Sequence, residues 1–263
     1  MSESALLLSE AARAELAAFA HRAEVGSTQD WAAAEALPAR GCAVYLADRQ
    51  TAGRGRRGRA WHTEPGGALA FTVARRFALP PRALPPLALV AGLAVAEGLH
   101  ALGATAVRLK WPNDLLLEGA KLGGLLVEGR EGGALVGVGL NLRLGDADGS
   151  AGEGAAAGAA PEALPRTDLA AAGVPAAVPA VLAAVLEALL PALARFEREG
   201  FAPFHAQWPR FDALAGRRVR LLAGEAVLEG EVLGLAADGG LRVRHAEGER
   251  VHHAGEVSLR VAA

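Results

Sequence analysis

Two short apolar segments, residues 43–47 and 68–74, flank the loop Gly53-Arg54-Gly55-Arg56-Arg57-Gly58-Arg59, which sets four arginines among three glycines. Both flanks carry the Val, Tyr, Phe and Ala content of buried strands, so the loop is predicted to join strand to strand. That order limits the fold. The glycines match G-x-G-x-x-G, but a dinucleotide fingerprint needs a helix immediately afterwards, whose N-terminus receives the pyrophosphate. Here Gly58 is followed by Arg59-Ala60-Trp61-His62-Thr63-Glu64-Pro65 and then the second strand, so a Rossmann domain fails on context. No G-x-x-x-x-G-K-[ST] loop occurs, which argues against a P-loop kinase or ATPase. What remains is a flexible loop whose glycines let the backbone approach a ligand. Its arginines offer planar donor forks to phosphate or carboxylate. On the loop alone, a solvated basic segment or a nucleic-acid-binding segment fits as well.

Composition sharpens a second segment. The chain has 27 basic residues, and only Lys110 and Lys121 among them are lysine. Wherever a generic positive charge suffices the chain uses arginine, so these two are expected to do what a guanidinium cannot, such as placing a compact point charge on an anion. They lie in Lys110-Trp111-Pro112-Asn113-Asp114 and Lys121-Leu122-Gly123-Gly124. Pro112 fixes a turn and extends Trp111, which presents Asn113 and Asp114 at a strand end. Taken alone, Pro-Asn-Asp is an ordinary turn. Beside the scarce lysines and the arginine loop it reads as part of an anion-handling site.

The net charge of −2 confines any strong positive field to a locality such as that loop. The single cysteine, Cys42, excludes an intramolecular disulfide and a cysteine-cluster zinc site; it suits a reducing cytoplasm and reads as a small hydrophobe opening a strand. No basic segment precedes an apolar core at the N-terminus, so no secretory signal is expected and the location is predicted to be cytoplasmic. The apolar stretch 169–196 is interrupted by Pro175, Pro179, Glu187 and Pro191, and is predicted to be a buried or amphipathic helix rather than a membrane span.

Periodicity predicts a short amphipathic helix over 9–21, a helix capped by Ser27 and running toward Leu37, a central helix over 84–102 and another over 179–199. Further strands are predicted at 107–111, 115–117, 122–128 and 135–142. Residues 145–165 are Gly, Ala, Asp and Glu with almost no large side chain, which predicts a mobile surface loop. From 214 onward come short alternating segments at 217–222, 227–235, 241–245 and 250–259, split by turns such as Asp238-Gly239-Gly240, the pattern of a small antiparallel barrel. The domains are therefore expected to be 1–213 and 214–263.

Several motifs in order resemble the biotin protein ligase family. They are Gly26-Ser27-Thr28, residues 50–59 with Trp61, Lys110 to Asp114, Lys121 to Glu128, Gly137-Val138-Gly139-Leu140-Asn141, and the ending Gly255-Glu256-Val257-Ser258-Leu259-Arg260. The resemblance runs from Gly26 to Arg260 and implies an α/β fold, a mixed-sheet catalytic domain like that of class II synthetases, followed by a small SH3-like β-barrel. It departs at Gln29, where the family usually has Asn, and at Thr63-Glu64-Pro65, where Ser-Pro is common. The residues before Gly26 are too few for the winged helix of some bacterial members, so the resemblance is to the ligase-only class, with no DNA partner and no membrane.

The resemblance implies that biotin is activated by ATP, with Mg2+, to biotinyl-5'-adenylate and passed to a lysine of a biotin carboxyl carrier protein. Lys121, Asp114 and Arg56 are then the catalytic candidates, with Asp114 either orienting the incoming amine or taking its proton, or else positioning Lys121 or the metal. Biotin would be held by Ser27, Thr28, Gln29, Gln50, Gly53, Arg54, Gly55, Arg56, Lys121 and Gly124. The nucleotide would be held by Arg57, Arg59, Trp61, Asn113 and Asn141. No residues are assigned to a protein-held metal. A lipoate or octanoate ligase of the same fold, and a nucleic-acid-binding module, remain as alternatives. An exposed sheet edge allows a homodimer.

Overall fold

The fold was obtained as a computed structural model, which describes residues 1–3, 6–61, 66–145, 164–223, 226–253 and 258–261. The helices are α1 (Glu10–Ala14), α2 (Thr28–Ala34), α3 (Leu87–Ala101), α4 (Val178–Glu199) and α5 (Ala202–Gln207). The first seven strands are β1 (Leu16–Val25), β2 (Cys42–Gln50), β3 (Ala68–Arg76), β4 (Val107–Lys110), β5 (Asp114–Leu117), β6 (Ala120–Arg130) and β7 (Gly133–Asn141). They form one sheet in the order β1-β2-β3-β7-β6-β5-β4, parallel only between β1 and β2. The remaining strands, β8 (Arg218–Ala223), β9 (Ala226–Leu235), β10 (Leu241–His245), β11 (Gly248–His252) and β12 (Ser258–Val261), form an antiparallel sheet in the order β11-β10-β9-β8-β12.

The two faces of the large sheet differ in a way that makes the site. Val44, Leu46, Leu69, Phe71, Val73, Val136, Val138 and Leu140 join the main core with α3 and α4. Their alternates on β3 and β7, Ala70, Thr72, Gly137 and Gly139, point to the other face, because successive strand residues alternate sides. That face has small or polar residues where the first has Leu, Val and Phe, so it can be hollow. Part of it is covered by α2, whose Ala32 packs with Ala43, Tyr45, Ala74 and Leu135. By length and composition α4 could cross a membrane; here it buries Val181, Leu182, Val185, Leu186, Leu189 and Leu190 in the core it shares with α3.

Two expectations are corrected. The helix predicted over 9–21 does start at Ser9, whose Oγ accepts the Ala12 amide, but it ends at Ala14. Residues from Leu16 onward form β1 instead, because main-chain pairing with β2 outweighs a weak local helical preference. The segment predicted over 250–259 is two strands, β11 and β12, at opposite edges of the second sheet. The loop predicted over 145–165 lies almost wholly outside the described residues, as do Thr63-Glu64-Pro65.

Candidate active site

A cleft of about 600 Å³, open to solvent, lies on the hollow face of the large sheet. One wall is polar and uncharged. Ser27 caps α2 by accepting the Gln29 amide at 3.2 Å. The next residue, Thr28, donates its amide and its hydroxyl to Gln50 Oε1, at 2.7 and 3.1 Å. Thr72 Oγ1, fully buried on β3, reaches Thr28 Oγ1 at 3.0 Å and Gln29 Oε1 at 3.2 Å. Gln29 fits because Gly137 faces it: a Cβ there would stand 2.6 Å from Gln29 Oε1. The longer amide is thus accommodated by a missing side chain on the neighbouring strand.

The other wall is charged. Asp114 opens β5, with Lys121 Nζ 3.3 Å from its Oδ1 and Lys110 Nζ 3.6 Å from its Oδ2. Asn113 is fixed by a ring of bonds: its Nδ2 donates to the Leu125 carbonyl at 2.9 Å, and its own carbonyl accepts the Leu125 amide at 2.9 Å. Its Oδ1 accepts Arg56 Nη1 at 2.9 Å, which ties the arginine loop to the β4–β5 turn. Burial, followed by the like charges of Arg57 and Arg59, holds the Arg56 guanidinium below its usual pKa against the opposing pull of Asp114. An anion bound in the cleft would relieve that penalty.

Register relates the two walls. Thr72 pairs with Gly137, and Gly137 with Leu126; two residues along, Ala70 pairs with Gly139, Gly139 with Gly124, and Gly124 with Asp114. Two strand residues span about 7 Å, so the uncharged and charged groups are stepped along a single sheet face.

The arginine loop, which composition reads as flexible, closes on itself. Gly55 N donates to the Arg59 carbonyl at 2.7 Å and Trp61 N to the Gly53 carbonyl at 2.8 Å. Gly53 is needed there because a Cβ would strike the Trp61 carbonyl oxygen. The Trp61 indole lies over Gly139, where a Cβ would come within 2.5 Å of its ring.

The structure brings most of the expected residues together. Ser27, Thr28, Gln29, Gln50, Arg54, Gly55, Arg56, Arg59, Trp61, Asn113, Asp114, Lys121 and Gly124 all line the cleft. Gly53, Arg57 and Asn141 do not. Arg57 sits at φ 57° on the exposed tip of the loop, and Gly53 acts through its backbone. Asn141 is buried, with Nδ2 donating to the Thr167 carbonyl at 3.0 Å. Arg54 lines the cleft, but its guanidinium is engaged by Glu128 at 2.6 Å and Asp30 at 3.2 Å. The expectations above missed Thr72, Gly137 and the role of Lys110. A lone threonine in an apolar strand, and glycines alternating along β7, were the available signals.

The fold and the cleft define a class. Residues 27–144 match the biotin/lipoate A/B protein ligase family, and residues 215–260 match the biotin protein ligase C terminal domain. Among similar proteins, the biotin--[acetyl-CoA-carboxylase] ligase of Paracoccus denitrificans is 35% identical over 224 residues, 82% of this chain and 90% of that protein. The bifunctional ligase/repressor BirA of Escherichia coli (strain K12) is 35% identical over 222 residues, and the chain spans 66% of its length. Among solved structures, the biotin protein ligase from Aquifex aeolicus in complex with biotin and ATP superposes with a TM-score of 0.76 at 30% identity, covering 94% of this chain and 100% of that one. The chain belongs to the biotin protein ligase family.

Proposed function

We propose that this chain activates biotin with ATP and transfers the biotinyl group to a lysine of a biotin carboxyl carrier protein. In the first step a biotin carboxylate oxygen attacks the α-phosphorus, pyrophosphate leaves and biotinyl-5'-adenylate forms. In the second an amine attacks the acyl carbon, adenylate leaves as AMP and the nitrogen loses a proton. The observation that carries this reading is the stepped cleft, with an uncharged polar wall for the ring end of biotin and, about 7 Å along the same face, cations where two anions must meet.

In this reading Ser27, Thr28, Gln29 and Gln50 hold the ring end, Lys121 bridges carboxylate and α-phosphate, and Asp114 positions Lys121 with help from Lys110. Arg56 and Arg59 cover the adenylate, with Trp61 and Asn113 on the nucleotide side. Among the described residues no three His, Cys, Asp or Glu side chains cluster to hold a metal, so magnesium would arrive on the nucleotide phosphates. The division into a catalytic domain, 1–213, and a C-terminal domain, 214–263, fits the two sheets. The outer edge of β1 supports pairing of two copies, and the single buried Cys42 suits the cytoplasm.

The test is pyrophosphate release with ATP and magnesium plus either biotin or lipoate, followed by mass spectrometry of an added carrier domain. Release with biotin and a biotinyl adduct on one carrier lysine are expected. Release with lipoate alone would transfer the reading to the sister activity.

A further inference from the structure

We propose that the turn at residues 238–240 in the second sheet is a working part of this site, acting through Trp111 as a positioning residue for Lys110 and Asp114. The inference rests on the ligase reading above and adds a route by which the C-terminal module reaches the charged wall.

Lys110 is held from both sides by the C-terminal half of the chain. On one side, Leu109 donates its amide to the Phe211 carbonyl at 2.7 Å and accepts the Ala213 amide at 2.9 Å. The outer edge of β4, which ends the large sheet, is thereby stitched to the segment leading into β8. On the other side, the Trp111 indole Nε1 donates to the Gly239 carbonyl at 3.0 Å, and Trp111 is 2% exposed. Between these attachments Lys110 pairs across the β4–β5 ladder with Asp114 and places its ammonium 3.6 Å from Oδ2, while Lys121 Nζ stands 3.3 Å from Oδ1.

The turn is built to hold one position. Gly239 has φ +87°, and a Cβ there would stand 2.9 Å from Leu89 Cδ1 on α3, so the backbone packs directly on the catalytic half. Asp238 closes the turn: its Oδ1 accepts the Gly240 amide at 3.0 Å and its Oδ2 faces His253 Nε2 at 3.0 Å. Ala236 N adds a bond to the Gly240 carbonyl at 2.8 Å. A second, larger cavity is lined by Asp238, Gly239 and Trp111 together with Arg56 and Asn113, so the turn borders the same space as these two residues of the site.

None of the hydrogen bonds described for Ser27, Thr28, Gln29, Gln50 and Thr72 involves this turn. Loss of the Trp111–Gly239 bond should therefore spare biotin binding and slow the step in which Lys121 and Asp114 act. A general loosening of the protein would lower both.

The experiment uses the full chain carrying Trp111→Phe, which keeps a ring in the core and removes the donor, and separately Gly239→Ala, which displaces the acceptor. Biotin affinity is measured by calorimetry with biotin alone, adenylation by single-turnover pyrophosphate release, and melting by scanning calorimetry, with rates taken well below each melting temperature. Adenylation should fall about tenfold, the scale of one lost buried hydrogen bond, while the biotin Kd stays within about twofold. If one variant fails to fold, the other carries the comparison. Wild-type adenylation in a folded variant, or equal losses of biotin binding and adenylation, would overturn the coupling. A wild-type chain that releases no pyrophosphate with biotin, ATP and magnesium would instead overturn the ligase reading itself.

Discussion

Lys121 and Asp114 face each other at 3.3 Å only because β6 carries a bulge. Asp114 pairs with Gly124, and a lysine three residues before Gly124 on a regular strand would point to the opposite face. The register slips between Leu115 and Leu116, so that Leu116 pairs with Lys121 and Leu122 is the extra residue, wholly buried in the core. That single insertion restores the phase and aims the ammonium into the cleft.

Replacement of Lys121 by arginine should fail although it keeps the charge. A planar guanidinium has neither the compactness nor the bond directions to sit between Asp114, a carboxylate and a phosphate. Adenylate formation in Lys121→Arg and Lys121→Ala should fall by about a hundredfold or more, the scale for removing one preorganised electrostatic group. Near-normal pyrophosphate release by the arginine variant would remove Lys121 from the chemistry.

For Asp114, the geometry favours the positioning role over proton removal. Both carboxylate oxygens face lysines, and neutralising the carboxylate leaves two ammonium groups without their shared counter-ion. Asp114→Asn is therefore expected to slow adenylation while preformed adenylate is still passed to the carrier. A single-turnover assay that follows the two steps separately decides it: intact adenylation with slow transfer would return Asp114 to the role of base.

Three glycines near the charged wall should respond differently to alanine. At Gly124 a methyl would meet nothing closer than the Asn113 carbonyl oxygen, at 3.5 Å, and would enter the cleft beside Asp114. At Gly123 it would strike the Gly139 carbonyl, and at Gly139 the Trp61 ring. Gly124→Ala should fold with an unchanged melting temperature and bind substrates poorly, whereas Gly123→Ala should lose stability. A Gly124→Ala enzyme with normal KM values for biotin and ATP would mean that this edge of the cleft is not occupied.

Arg56 bridges loop and wall through Asn113, so Arg56→Gly should open the cleft after adenylate has formed. The expected readout is biotinyl adenylate in free solution and biotin on unrelated proteins in the mixture. Retention of adenylate equal to wild type would assign closure to other loop residues.

Cys42 supplies a pH prediction. Burial pushes its thiol up to about 11, with Arg75 pulling the other way. Because the folded chain holds this proton more tightly than the unfolded one, its contribution to stability is complete below about 9 and is lost as pH rises through about 11. Iodoacetamide at pH 8 should leave the folded protein unlabelled and label it once denatured; rapid labelling of the native chain would contradict the burial.

Much of this was legible in the sequence because it is local. The cap at Ser27, the strands either side of the arginine loop and the turn at Pro112 follow from short-range patterns, and the scarcity of lysine pointed to both lysines of the charged wall. What could not be read depends on strand register and on neighbours distant in sequence. The bulge at Leu122, the contact of Gln29 with Gly137, and the bond from Trp111 to Gly239 are set by which strands meet. β1 was missed for the same reason, since its partner lies beyond α2.

On the proposed activity, the scarcity of lysine also bears on what the product can do to its maker. A biotinyl adenylate that leaves the cleft acylates accessible amines, and on most proteins these are surface lysines. Here every lysine of the chain faces Asp114, and the exterior positive charge is guanidinium, which stays protonated and does not act as a nucleophile. The chain therefore offers no lysine amine on its outer surface for self-acylation, and on the proposed activity escaping product would be left for other proteins or for water.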